Sequence, residues 1–343
     1  MALKKRTTKT AKESAQEAID SNCGIIIPRP TDHLISTGST LLDLAVSCNR
    51  YDAGGVPGGI LVEIFGASGS GKTALLVEMG ASAQETHGGK VRFLDPEARL
   101  DKEYAQIYGM VLDKEDYHRP NTVAEMFNHI YEWETTPDTI NVLAADSLAA
   151  LSTELELDKG DKMGMKRAKE FSEGLRKLCR TIADENRLMV CSNQVRQGDF
   201  GDVTPGGKAI PFYASLRIKI KQLKKIEKTK TVRGKTFKKI IGIESECEVV
   251  KNSLDDPFRK APIRLLFGSG IDDVGANLQW LKTSLGGTKY KAVDQEYVAL
   301  DQAIKYIEKN DLEAELRKEV IELYKEIENS FKMHRKKKKR FSL

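Results

Sequence analysis

The segment GASGSGKT, residues 66–73, has the residue types and spacing that bind nucleotide phosphates. It matches the pattern GxxxxGK[ST], follows an apolar run and precedes an apolar segment of helical type. Glycines let backbone N–H groups turn towards a phosphate, and the helix adds the positive end of its dipole. Lys72 can then reach the terminal phosphates, and the Thr73 hydroxyl can hold Mg²⁺. The alternative is a glycine-rich turn with a chance Lys-Thr pair. The predicted nucleotide-binding loop consists of Gly66, Ala67, Ser68, Gly69, Ser70, Gly71, Lys72 and Thr73.

Three further polar residues each follow an apolar, strand-like run, the position where an open parallel sheet binds its ligands. Glu97 can act as the general base that orients a water towards a γ-phosphate. Asp146 fits the acidic residue that serves Mg²⁺, and the Gln194 amide can sense the γ-phosphate. Taken alone, Glu97 also fits a surface turn, and Asp146 also fits a helix N-cap.

These residues need a sheet that brings strand ends together, and the hydrophobic pattern predicts one. Between about residues 60 and 200, short apolar runs alternate with helical segments, which is typical of βαβ units in a mostly parallel sheet. Residues 215–223 alternate like an antiparallel strand and should pair with residues 236–251 across a basic turn at Gly234. From about residue 275 the pattern becomes helical, with helices expected over 303–309 and 312–331. The predicted fold class is α/β with a small α-rich C-terminal domain.

Positive charge is concentrated in three stretches, although the formal net charge is only +5. They are residues 4–12, residues 219–239 and the tail 332–340; the middle stretch holds ten basic residues against Glu227 alone. Such clusters indicate a polyanion partner. Each cluster alone also fits a solvated surface without a partner.

The composition is that of a globular protein, 40% hydrophobic and 31% charged over 343 residues. No apolar stretch approaches the roughly 18 residues of a membrane span. The basic N-terminus lacks the apolar centre of a signal peptide. The five cysteines are scattered without metal-ligand spacing. We therefore expect an intracellular protein with no membrane partner and no structural zinc.

From Ile35 to about Asp311 the chain resembles the RecA strand-exchange recombinases of bacteria and phages. The most specific matches are NQVR at 193–196 and TPGGKAIPFYASLR at 204–217. The remaining matches, besides the phosphate loop, are ISTGS (35–39), GGVPGG (54–59), FLDPEARLDKEYA (93–105), ADSLAAL (145–151), GDKMG (160–164), RKL (176–178) and EVVKNSLDDPF (248–258).

The resemblance implies a RecA-like P-loop ATPase core with a central, mostly parallel twisted sheet. The core would span residues 34–272, after a short N-terminal arm over 1–33. A small α-rich C-terminal domain would follow over 273–331, and a basic tail over 332–343.

The resemblance also implies roles at the nucleotide, with ATP and Mg²⁺ as cofactors. Glu97 would be the catalytic base, Lys72 would hold phosphates, and Thr73 and Asp146 would hold the metal. Gln194 would couple the γ-phosphate to DNA.

Further contacts would be made around the adenine and between protomers. Asp101 and Tyr104 would contact the adenine, with Tyr104 stacking on it. Lys251 would reach across a subunit interface to the ATP of the neighbouring protomer, where it would have a catalytic role. Phe212 would pack at that interface, within a helical filament.

Two segments, about residues 156–165 and 195–208, would be DNA-binding loops. The bland alternative is a pair of surface loops, but loops longer than about 12 residues within a compact domain are usually functional. The predicted DNA-contacting residues are Met163, Met165, Lys169, Arg176, Arg196, Phe200, Gly206, Gly207, Lys208 and Lys221.

The function we expect is that of an ATP-dependent homologous recombinase. It would form a helical filament on single-stranded DNA and pair it with homologous double-stranded DNA, with DNA-stimulated ATP hydrolysis. Its location would be cytoplasmic and nucleoid-associated, or the host cytoplasm if its source is viral.

Three alternatives stay open at this point: a weakly hydrolysing, ATP-bound DNA-coating or mediator protein, a helicase with the same core, and a small-molecule kinase. The coating protein is kept open by Ser253, which stands where the family usually has a second interfacial lysine. Arg259 and Lys260 are candidates to replace that charge.

Overall fold

The computed structural model describes residues 33–153, 164–198, 201–203 and 209–333. The predicted N-terminal arm, apart from His33, and the predicted tail, apart from Lys332 and Met333, lie outside these residues.

The strands of the described chain are short except for one pair. They are β1 (Leu61–Gly66), β2 (Val91–Leu94), β3 (Tyr117–His118), β4 (Val142–Ala145), β5 (Leu188–Gln194), β6 (Arg196–Gly198), β7 (Gly201–Val203), β8 (Leu216–Val232), β9 (Lys235–Asn252), β10 (Lys260–Leu266), β11 (Gly270–Ile271), β12 (Tyr290–Ala292) and β13 (Gln295–Tyr297).

Nine of these strands form one sheet in the order β11-β10-β9-β8-β1-β5-β4-β2-β3. The strands from β8 to β3 run parallel, and β9, β10 and β11 continue the sheet antiparallel. Two small hairpins, β6–β7 and β12–β13, stand apart from it. The predicted α/β class with a mostly parallel sheet is confirmed.

Helices pack on the sheet, and three more come after its last strand in the chain. They are α1 (Thr40–Ser47), α2 (Lys72–His87), α3 (Lys102–Ile107), α4 (Val123–Tyr131), α5 (Gly164–Asp184), α6 (Ala209–Tyr213), α7 (Asp273–Ser284), α8 (Leu300–Lys309) and α9 (Glu313–Ser330).

The central strands are mostly apolar because both of their faces are buried. Alternate residues of β5 go to opposite sides: Leu188 and Val190 join the cluster that contains α1 and α2, whereas Met189 and Cys191 join the one that contains α4 and α5. This two-layer burial fixes the strand ends, and with them the side chains that follow each strand.

The β8–β9 hairpin is longer than the sequence pattern predicts. Its first strand continues to Val232 rather than ending at residue 223, and the turn is Arg233-Gly234, with φ values of 50° and 74°. Two successive positive φ angles are typical of the tight turns that join twisted strands. The sequence pattern did not predict the outer half of this strand. Both of its faces are exposed, so apolar and polar residues do not alternate along it.

The C-terminal helices share one hydrophobic cluster with the nine-stranded sheet. Leu278, Ile307 and Val320 belong to the same buried cluster as Leu41 and Leu44 of α1. The start of α1 is bonded to α7, because the Thr40 N–H and hydroxyl each donate to the Asp273 carboxylate at 2.7 Å. The predicted boundary at 272/273, which stays a prediction, therefore falls inside a continuous core.

Within the described part of the chain, no helix is long and apolar enough to cross a membrane. Its four cysteines are free thiols.

Candidate nucleotide site and nucleic-acid segments

The phosphate loop joins the fully buried β1 to the first turn of α2. Gly69 and Gly71 have φ values of 73° and 106°, a backbone that favours glycine. Gly66 is required for a different reason, since a Cβ there would lie 2.1 Å from the Ile220 carbonyl oxygen of β8. The loop is held from behind by the Ser245 hydroxyl, which donates to the Ser70 carbonyl at 2.9 Å.

Lys72 lies inside this loop with only 8% of its surface exposed. Its Nζ donates to the carbonyl oxygens of Gly66 (3.1 Å) and Ala67 (2.8 Å). Burial lowers the pKa of Lys72, and the nearby carboxylates of Asp146 and Glu97 oppose that shift. A buried ammonium among loop carbonyls is placed to exchange these acceptors for phosphate oxygens.

A cavity of about 280 Å³ opens in front of the loop. Besides loop residues, its wall contains Glu97, Tyr104, Asp146 and Gln194, four side chains that the sequence assigned to the nucleotide. They come from the ends of β2, β4 and β5 and from α3, so the sheet brings them together as expected for strand ends. Their individual roles remain predictions.

Asp146 is linked directly to the predicted metal-binding hydroxyl. The Thr73 hydroxyl donates to Asp146 Oδ2 at 2.5 Å, and the Ser192 hydroxyl donates to Oδ1. Burial raises the pKa of Asp146, and these two hydrogen bonds act against the rise. Sequence reasoning missed Ser192; the available signal was a hydroxyl within the otherwise apolar run of β5, two residues before Gln194.

Glu97 and Gln194 are in contact across the cavity. Gln194 Nε2 donates to Glu97 Oε1 at 3.2 Å, while Arg99 Nη1 lies 2.7 Å from Glu97 Oε2. Arg99 is 72% exposed, so this ion pair is open to solvent. Gln194 ends β5, immediately before the second predicted DNA segment, and it therefore connects that segment to the candidate base.

The two predicted adenine contacts are placed differently. Tyr104 lines the cavity, and its hydroxyl is 2.9 Å from that of Tyr108. Asp101 is exposed and caps α3, where its side chain accepts from the Glu103 N–H at 3.0 Å. The capping role of Asp101 is thus visible, while adenine contact stays a prediction for both residues.

A buried ion pair lies behind Gln194 and was missed from the sequence. Glu63 of β1 is fully buried, and Arg217 Nε donates to its Oε2 at 2.6 Å. Asn193 Nδ2 donates to the other Glu63 oxygen at 3.0 Å. An acidic residue inside the apolar run LVEIFG was the signal, because a carboxylate in a buried strand requires a partner.

Lys251 lies next to Arg217 across β8 and β9 and does not line the cavity of its own chain. Its Nζ donates to the carbonyls of Pro211 (2.9 Å) and Phe212 (3.0 Å). Phe212 is 74% exposed. The two residues predicted for a subunit interface are therefore neighbours on one surface.

Arg259 is not free to replace the lysine missing at Ser253. Its guanidinium, 8% exposed, is bound to Asp255 (3.0 Å) and Glu328 (2.8 Å). Lys260 is 53% exposed and pairs with Glu246 at 3.1 Å. The expectation for Arg259 is thus contradicted by its burial among carboxylates.

The predicted DNA segments are described only in part. Met163, Phe200, Gly206, Gly207 and Lys208 lie outside the described residues.

Of the remaining DNA candidates, Met165 lies in the first turn of α5, and Lys169 and Arg176 are exposed, seven positions apart on one side of that helix. Arg196 begins β6, which pairs with β7, so the second segment contains a short hairpin. Lys221 is exposed on β8, opposite Glu246.

The oxygen donors at the cavity suit a hard divalent cation held mainly by a nucleotide. Among the described residues, no three His, Cys, Asp or Glu side chains cluster as a metal site. Thr73 and Asp146 present side-chain oxygens to the cavity, and Mg²⁺ in proteins usually takes one or two such ligands together with phosphate oxygens and water. The residues present therefore fit Mg²⁺ bound together with a nucleotide.

The site has a glycine-rich loop between a buried strand and a helix, and a buried acid and a second carboxylate lie at neighbouring strand ends. This combination defines a P-loop nucleoside triphosphatase. The protein-family model of the RecA N-terminal domain matches residues 27–272 of this chain. The chain belongs to the RecA family, whose members are DNA-dependent ATPases that carry out ATP-dependent DNA strand exchange.

The curated relatives extend this match over most of the chain. Protein RecA of Colwellia psychrerythraea is 38% identical over 250 residues, covering 70% of this chain and 68% of that protein. Protein RecA of Thermus thermophilus is 34% identical over 281 residues, 77% and 78% of the two chains. Protein RecA of Wolbachia pipientis from Culex pipiens is 33% identical over 312 residues, 86% and 83%.

Proposed function

We propose that this recombinase binds ATP with Mg²⁺ in the cavity in front of residues 66–73 and uses Glu97 as the hydrolytic base. The contact between Gln194 and Glu97, at 3.2 Å, carries the proposal. This hydrogen bond joins the candidate base to the last residue before the segment 195–208. A change at the nucleotide can therefore be passed to the proposed DNA-binding segment through it.

Each cavity residue has a distinct task in this proposal. Lys72 exchanges its loop carbonyls for phosphate oxygens and neutralises charge that develops during phosphoryl transfer. Thr73 and Asp146 would hold Mg²⁺, whose positive charge would stabilise the phosphate oxygens. Glu97 accepts a proton from a water aligned with the γ-phosphate. Tyr104 supplies an aromatic surface for the adenine.

Gln194 couples the nucleotide to DNA. Its amide can donate either to Glu97 or to a γ-phosphate oxygen, and the choice moves the start of the adjoining segment. A γ-phosphate would thus favour one arrangement of residues 195–208, and its loss would favour the other.

We further propose that Phe212 and Lys251 lie at an interface between copies in a helical filament. An exposed aromatic side chain is typical of interface anchors. Lys251 is held at the same surface by two carbonyls, from which it could turn to a neighbour's ATP. The partners would be single-stranded DNA within the filament and homologous double-stranded DNA, in a cytoplasmic setting. The curated relatives do not favour the coating protein or the helicase.

The test is steady-state ATP hydrolysis with and without single-stranded DNA, for the wild type and Glu97→Gln. We expect strong stimulation by DNA in the wild type and a 10²- to 10⁴-fold lower rate in the variant, the range for a general base (about two to four orders of magnitude). ATP-dependent DNA binding should persist in the variant, because Gln keeps the shape of the side chain.

Glu103→Gln is the matched control, since Glu103 is an exposed carboxylate nearby on α3. Its rate should equal that of the wild type. A Glu97→Gln variant that hydrolyses ATP at the wild-type rate would remove Glu97 from the mechanism. If single-stranded DNA does not raise the rate of ATP hydrolysis by the wild type, the proposed coupling between DNA and hydrolysis is refuted.

A further inference from the structure

Glu97, the candidate base, lies in a tight turn between β2 and α3. The Ala98 N–H donates to the Asp95 carbonyl at 3.0 Å, which closes a four-residue turn with Glu97 at its third position. Ala98 has a φ of 53°, a left-handed conformation that is energetically unfavourable for a residue other than glycine. The turn therefore needs contacts from outside to keep Glu97 at the cavity.

Asp95 is the residue through which these contacts reach the turn. It is 1% exposed, and its Oδ2 accepts from the Leu100 N–H at 2.7 Å, across the far end of the same segment. Its own N–H donates to the His118 carbonyl of β3 at 2.8 Å. The Tyr117 hydroxyl donates to the same oxygen, Asp95 Oδ2, at 2.7 Å. The turn that carries Glu97 is thus bonded to the edge strand β3.

Tyr117 is placed for this contact by the sheet, because it lies opposite Phe93 where β3 pairs with β2. Its hydroxyl also accepts from Arg119 Nε at 3.0 Å, and this bond directs the phenolic proton towards Asp95. Burial raises the pKa of Tyr117, so the phenol is a neutral donor at neutral pH. Among the described residues Asp95 lines the nucleotide cavity and Tyr117 does not. Tyr117 can therefore reach the site only through Asp95.

A purely structural role is the alternative for the bond between Tyr117 and Asp95. Its place in the molecule favours a second role. Asp95 is two residues from Glu97, and atoms of Asp95 close the intervening turn at both Ala98 and Leu100. A base must meet the attacking water closely, and a misplacement of about 1 Å can lower a rate by about 100-fold. A small shift of Asp95 would therefore be felt first at Glu97.

We propose that Tyr117 is a positioning residue for ATP hydrolysis, which holds Asp95 and, through the turn, holds Glu97 at the attacking water. The inference rests on the proposed role of Glu97 as the base. Because Tyr117 does not line the nucleotide cavity, it contributes to the rate of the chemical step and not to the binding of ATP.

The test is DNA-stimulated ATP hydrolysis by Tyr117→Phe, with kcat and KM measured separately. Phenylalanine keeps the ring and removes only the hydroxyl. We expect kcat to fall about 10-fold, less than for a full misplacement because the Leu100 N–H still holds Asp95. KM for ATP should stay within about twofold of the wild type, since the contacts that bind ATP are unchanged. ATP-dependent binding to single-stranded DNA should also persist.

Tyr306→Phe is the matched control. The Tyr306 hydroxyl also donates to an aspartate, Asp294, at 3.0 Å, and neither residue lines the cavity. The two variants lose a hydrogen bond of the same kind, and both should unfold within a few degrees of the wild type. Tyr306→Phe should keep the wild-type kcat, so a loss in Tyr117→Phe alone cannot come from a general loss of stability.

A double variant gives a readout that a merely structural role would not change. If Tyr117 acts through Glu97, Tyr117→Phe should cause no further loss when it is added to Glu97→Gln. If the two residues act independently, the residual rate of Glu97→Gln should fall by about another 10-fold.

Three results would overturn the inference: a wild-type kcat in Tyr117→Phe, an effect confined to KM, and multiplying losses in the double variant. Glu97→Gln distinguishes this failure from that of the proposed function. An impaired Glu97→Gln together with an unimpaired Tyr117→Phe refutes the positioning role alone. A Glu97→Gln variant that hydrolyses ATP at the wild-type rate refutes both.

Discussion

Ser192→Ala tests whether the second hydrogen bond on Asp146 prepares it for Mg²⁺. Ser192 is fully buried at the end of β5, and its hydroxyl donates to Asp146 Oδ1. Alanine removes the donor and creates little empty space. Asp146 then keeps the Thr73 bond and loses one of the two hydrogen bonds that favour its charged form.

The size of the effect follows from the charge on the acceptor. A hydrogen bond to a charged group contributes about 1.5–3 kcal/mol, which corresponds to roughly 10- to 150-fold in an equilibrium constant. Groups that orient a metal ligand typically change metal affinity by about 10- to 100-fold when removed. We therefore expect the Mg²⁺ concentration for half-maximal ATP hydrolysis to rise by about 10- to 100-fold.

The pH dependence should move in a fixed direction. Burial already raises the pKa of Asp146, and loss of the Ser192 bond raises it further. Because the carboxylate must be ionised to serve Mg²⁺, the loss of activity on acidification should begin at a higher pH in the variant.

The assay is a Mg²⁺ titration of DNA-stimulated ATP hydrolysis at several pH values. Ser47→Ala is the matched control, since the buried Ser47 hydroxyl donates to the Gly55 carbonyl at 2.7 Å, away from the cavity. Ser47→Ala should lose about 1 kcal/mol of stability, and Ser192→Ala about 1.5–3 kcal/mol because its acceptor is charged. If Ser192→Ala keeps the wild-type Mg²⁺ dependence, its hydrogen bond is only structural and the reasoning fails.

Three further predictions concern stability. Glu63→Gln leaves the Arg217 guanidinium without its carboxylate and should cost on the order of 3 kcal/mol in denaturant unfolding; a midpoint equal to the wild type would contradict a buried ion pair. Burial raises the pKa of Glu78 from 4.5 to about 7, so its stabilising contribution is complete below pH 4.5 and is lost as the pH rises through 7. Glu78→Gln should therefore raise Tm by about 5 °C at pH 8 and change it little at pH 5, and equal shifts at both pH values would argue against this titration. Gly66→Ala places a Cβ against the Ile220 carbonyl and should lower both Tm and ATP affinity; unchanged values of both would show that the strands can separate there.

The sheet could be predicted because its central strands are mostly apolar and its ligand-side residues follow them directly. The same pattern placed Glu97, Asp146 and Gln194 at strand ends, and the structure brings them to one cavity. Helix bounds agreed within a few residues where burial is periodic, as for α9.

Other features could not be predicted because they depend on register between distant strands. The Glu63–Arg217 pair joins residues 154 positions apart, and Ser192 meets Asp146 across 46. The full length of β8 was missed because exposed lysines and threonines carry no burial signal. The cross-strand opposition of Lys228 and Lys239 appears only once the pairing is known.

The continuous core beneath α1 has a consequence for how this chain could exchange parts with its relatives. Leu278, Ile307 and Val320 fill the same cluster as Leu41 and Leu44, and Asp273 bonds the first residue of α1. A chimera that imports another protein's C-terminal segment would have to preserve both surfaces of this contact. Crossover points should therefore be tolerated in exposed turns such as Gly286-Gly287. A crossover at the 272/273 junction should destabilise the chimera, because the residues on both sides of it pack in the same core.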